Sequence, residues 1–130
     1  MSRMTWTGTS RVDAECRSAL SEFDSQEKHA KAEFAAALDH MAKRGKHPSE
    51  VNPRPPLRGV VLPIWPDAAL AIFFAADSDS ATLILLHVKA LFVGGAGEEG
   101  PGGRVTGTPL PPLPESGWDL AAQRLDDSGW

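Results

Sequence analysis

The sequence predicts an α+β domain in which a helical hairpin packs on a small antiparallel sheet, with elements in the order β-α-α-β-β-β. Three observations carry this. Met4-Thr5-Trp6-Thr7 alternates apolar and polar residues in a β-prone run, residues 10–44 hold two stretches of helical period, and residues 57–93 hold three apolar runs separated by turn residues. Each amphipathic layer needs the other to cover its apolar side.

The first helix is predicted to start at Ser10-Arg-Val-Asp13, a capping-box pattern. Val12, Cys16, Ala19, Leu20 and Phe23 follow on one helical face. Asp24-Ser-Gln-Glu27 repeats the box, and Ala30, Phe34, Ala37, Leu38 and Met41 repeat the spacing, so the chain is expected to break near Asp24 and form a hairpin. Gly45 is a natural stop, and Lys43 and Arg44 complement the partial negative charge of a helix C-terminus. Pro48, Pro53, Pro55 and Pro56 make an extended connector. Strands are expected over 57–65, 68–76 and 81–93, with turns at Pro66-Asp67 and Asp77-Ser-Asp-Ser80. Pro63 has no amide to give to a ladder, which puts the first of these strands at an edge or ends it early.

After Val93 the composition changes. Residues 94–117 contain eight glycines and five prolines and read as a linker; Pro109–Pro114 has polyproline character. In residues 118–130, Trp118, Ala121, Ala122 and Leu125 recur at helical spacing, as in a short helix that must bury its stripe on its own sheet or on another subunit. The organisation expected is thus a domain over 1–93, a linker over 94–117 and a helical tail over 118–130.

Composition narrows the function. The 130 residues are 42% hydrophobic with a net charge of −4, which suits one globular domain. No apolar stretch reaches the ~20 residues of a membrane span, the N-terminus has no secretory apolar core, and a single cysteine suits a reducing compartment, so a cytoplasmic protein without membrane association is expected. The acidity is concentrated late, since residues 94–130 carry two basic and six acidic side chains. Between residues 43 and 58, Lys43, Arg44, Lys46, Arg54 and Arg58 oppose only Glu50, a local field suited to phosphate. His87 and Lys89 lie two apart on a strand and share a face, where an imidazole could move a proton and an ammonium could hold an anion. His29, His40 and His47 fit no zinc spacing, and neither a metal nor a cofactor is expected. Cys16, on an apolar helix face, reads as a buried thiol.

The element order, MTWTGTSR at the start, the helical pair ending in Lys43-Arg44-Gly45, the PPLRGVVLPIW segment and the closing strand ATLILLHVKALF together resemble the RelE/ParE superfamily, the toxins of bacterial type II toxin-antitoxin modules, over residues 3–93. The resemblance implies growth inhibition by action on RNA, the ribosome or another target. It implies an antitoxin protein as partner and, for RNA-cleaving members, a metal-independent endoribonuclease. On it, His87 and Lys89 are the catalytic candidates and Arg58 matches the basic position opening the sheet, while the local charge makes Lys43, Arg44, Lys46, Arg54 and Arg58 candidates for holding nucleic acid. The chain has no tyrosine and its middle strand no arginine, where RNA-cleaving members use such groups. A second reading is a non-catalytic protein-interaction module on the same fold, with Trp118 and Leu125 as partner-binding anchors and a homodimer as one form of assembly.

Overall fold

The computed structural model describes residues 3–8, 10–65, 68–77, 79–92 and 113–128. The alternating run at the start forms β1 (Thr5–Thr7). It is tied to the helical layer by the Met4 amide, which donates to the Ala42 carbonyl, and by the Trp6 indole, which donates to the Leu38 carbonyl. Helix α1 (Ser10–Ser21) and helix α2 (Glu27–Arg44) follow, and their apolar stripes are those expected: Val12, Cys16, Ala19, Leu20, Ala30, Ala37 and Met41 are buried. Gly45 ends α2 with φ +81°, a left-handed backbone that glycine adopts without a Cβ clash.

The break between the helices differs from the capping box predicted at Asp24. Asp24 opens a 3-10 turn (Asp24–Gln26) with φ +51°, Phe23 and Gln26 occupy the cap positions of the turn and of α2, and neither cap makes a side-chain hydrogen bond. The reversal is made in the backbone, by a residue type that tolerates the left-handed region.

Strands β2 (Leu57–Trp65), β3 (Ala68–Asp77) and β4 (Thr82–Phe92) form the expected meander, and the sheet order is β1-β4-β3-β2. The sheet is mixed, which corrects the expectation of an antiparallel one: β1 runs parallel to β4, with Thr5 opposite Thr82 and Thr7 opposite Ile84. Two antiparallel steps make β2 and β4 co-directional, and the helical crossover from β1 to β2 allows those two strands to run the same way. As Pro63 indicated, β2 is an edge, its register shifts between Pro63 and Trp65, and Val51 bridges to Gly59 on its outer side.

Both sheet faces are covered. The α1–α2 layer packs on Val60, Leu62, Ile64, Leu70, Ile72, Phe74, Leu83, Leu85 and Val88. On the other face Leu57, Ala71, Phe73, Ala75, Ile84 and Leu86 meet a third helix, α3 (Glu115–Ser128). This accounts for the unbroken apolar run of β3, whose residues Ala68–Ala75 are all buried. Helix α3 begins at Glu115, three residues before the tail predicted at 118, and most of the predicted linker lies outside the described residues. Among the described residues no helix is long and apolar enough to cross a membrane.

Candidate functional site

Cross-strand register sets the surroundings of the two catalytic candidates. His87 lies opposite Phe73 and Lys89 opposite Ala71, so both belong to the face that α3 covers. They do not converge. His87 is buried at 8% exposure, its ring stacked on Phe73 with centroids 5.3 Å apart and its Nδ1 2.8 Å from Glu15 Oε1. Lys89 is exposed and makes no ion pair among the described residues.

Glu15 is the centre of this arrangement. β1 pairs with β4 only as far as Ile84, so the strand beyond it has an open edge toward α1. The Val88 amide there donates to Glu15 Oε1 at 3.2 Å, and the Leu86 carbonyl accepts from Arg124 of α3 at 2.8 Å. Arg124 also donates to both oxygens of Glu15, at 2.7 and 3.3 Å. One carboxylate and one guanidinium thereby satisfy the strand edge and bolt α1 to α3 across it. Burial pushes the Glu15 carboxyl up, but hydrogen bonds from Arg124 and His87, the nearby imidazole and the Val88 amide outweigh it and hold the group below its ordinary value. Arg124 Nε is buried without an acceptor. Glu15 and Arg124 were not singled out from sequence; the only signals were a lone basic residue in an acidic tail and a carboxylate beside Cys16 on the apolar side of α1.

The five cations read as a phosphate-holding patch are largely engaged. Lys43 pairs with Asp39 at 3.0 Å. Arg58 grips Glu50 through Nε and Nη2 at 2.7 and 2.6 Å, donates to the Gly45 carbonyl and lies over the Phe74 ring. Arg54 pairs with Asp119 at 2.9 Å and with Glu115, both on α3. This corrects the expectation of an open basic field: only Arg44 and Lys46 remain exposed without an ion pair among the described residues.

The partner-binding reading of Trp118 and Leu125 is corrected too. Both are buried against this chain's own sheet, at 3% and 8% exposure, and the Trp118 ring meets Phe73 edge-on at 5.0 Å. Gly117 allows this approach, since a Cβ there would fall 2.4 Å from the Phe73 ring. Cys16 is buried, and burial is the main cause that pushes its thiol up to about 11. The His40 and His47 rings meet edge-on at 5.6 Å, and no cluster of three or more metal-ligating side chains occurs among the described residues.

No protein-family model, curated protein or solved structure matches this chain. The fold and site define a mixed-sheet α+β domain in which Glu15, Arg54, Arg58, His87 and Arg124 are paired within the molecule.

Proposed function

We propose that the chain is a RelE/ParE-like toxin-type domain of a type II toxin-antitoxin module that acts by binding a protein target, without cleaving RNA. The element order β-α-α-β-β-β, with the two-helix layer on one face of the sheet, supports the fold-level part of this reading. One observation carries the choice of binding over cleavage. The histidine that would move the proton is buried, stacked on Phe73 and held by Glu15, while three of the five cations read as phosphate-holding, Lys43, Arg54 and Arg58, are tied to carboxylates. A general base must come within hydrogen-bond reach of the proton it takes, and a phosphate site needs cations that are not already neutralised.

Induced expression in a bacterial host tests both parts. Growth inhibition is expected for the wild type and is retained in Lys89→Ala. Absence of inhibition overturns the toxin reading, and inhibition abolished by Lys89→Ala overturns binding in favour of catalysis.

A further inference from the structure

A cleft of about 380 Å³ opens where β1 ends, lined by Arg11 of α1, Ile84, Leu85 and Leu86 of β4, and Arg124, Asp127 and Ser128 of α3. Its volume lies within the ~300–1,000 Å³ typical of small-molecule sites. Ile84, Leu85 and Leu86 alternate between the two sheet faces and are buried in the two cores, at 6%, 9% and 2% exposure, so the cleft lies along the strand edge, where only their margins give it an apolar floor. Its charged groups are of both signs. The Arg11 guanidinium and the Asp127 carboxylate make no ion pair among the described residues, although both line the same space. Arg124 is matched by Glu15 through Nη1 and Nη2, which leaves its Nε, the buried donor without an acceptor, on the guanidinium edge that Glu15 does not use. A guanidinium offers donors on more than one edge, and an unmet buried donor is costly enough to call for an explanation.

We propose that this cleft binds an apolar α-amino acid. Arg11 receives the carboxylate, Asp127 receives the ammonium, and the strand edge at 84–86 receives the side chain. The charges of Arg11, Arg124, Glu15 and Asp127 cancel, so the cleft matches a zwitterion and opposes a dianion such as phosphate. The site is separate from Lys89 and from the Arg54 ion pairs, and it stands or falls independently of the toxin reading.

Calorimetric titration of the full chain with leucine and phenylalanine tests it, with 4-methylpentanoate as the analogue lacking the ammonium group. Arg11 and Asp127 are exposed, so their variants are expected to keep the wild-type thermal unfolding transition. Saturable binding of at least one of the two amino acids is expected, weakened about tenfold or more by Arg11→Ala. Asp127→Asn is expected to weaken amino-acid binding while tightening that of 4-methylpentanoate. The proposal is overturned if neither amino acid binds at millimolar concentration, if both variants bind them as the wild type does, or if the wild type prefers 4-methylpentanoate.

Discussion

Glu15 takes hydrogen bonds from Arg124 and Val88 and lies against His87, so its charged form is stabilised in the folded protein and its carboxyl is held below the ordinary 4.5. A depressed folded value contributes stability that is present above the ordinary range and lost as pH falls through the folded value. Glu15→Gln is therefore expected to cost about 2 kcal/mol near neutrality. The gap between wild type and variant is expected to close on acidification below about pH 5, as read by urea unfolding at each pH. A gap that stays constant to pH 3 would show that Glu15 acts only by shape. The Cys16 thiol, raised to about 11, is expected to react with a thiol reagent at pH 8 only as fast as the protein unfolds; rapid reaction of the native protein would place it at the surface. Legibility at this scale was uneven. Cys16 and Gly45 were readable because their reasons are local. The partners of Arg54, Glu115 and Asp119, lie 61 and 65 residues along the chain, beyond any charge count made within a short window, and the acidity of the tail is the one sequence feature that points to them.

Helix α3 is held by a close fit. Phe73 is fully buried, with the His87 ring stacked against it, the Trp118 ring edge-on and Gly117 in close approach. Gly117→Ala is expected to cost about 1–3 kcal/mol, because a ring confined in this way has no room to move aside for a methyl group. Trp118→Ala removes a buried anchor and is expected to cost about 3–5 kcal/mol. Thermal unfolding measures both, and a Trp118→Ala variant as stable as the wild type would mean that α3 is a passive attachment. The strands were legible to within a residue of their ends because Pro66-Asp67 and Asp77–Ser80 bound alternating or continuously apolar runs. The α3 stripe was legible as amphipathic, but its docking face was not, since periodicity marks which side is buried and leaves open what covers it.

At the scale of the whole molecule, β1 turns a three-stranded meander into a mixed sheet, two helices close one face and α3 closes the other. The layers are joined by Glu15 with Arg124 and by Arg54 with Asp119, so two of the groups that suggested RNA chemistry, Arg54 and the His87 that contacts Glu15, belong to the contacts between layers. Parallel pairing of β1 was beyond the sequence because strand direction depends on how the helical crossover returns the chain, which residue patterning does not encode. Incubation of the purified full chain with RNA at low salt tests whether His87, Lys89 and the basic residues do chemistry on RNA. The RNA is expected to stay intact and to be bound only weakly, with a log-log salt slope no steeper than about −3, as the three candidate cations without an ion pair among the described residues, Arg44, Lys46 and Lys89, would give. RNA cleaved by the wild type and left whole by Lys89→Ala would contradict this expectation.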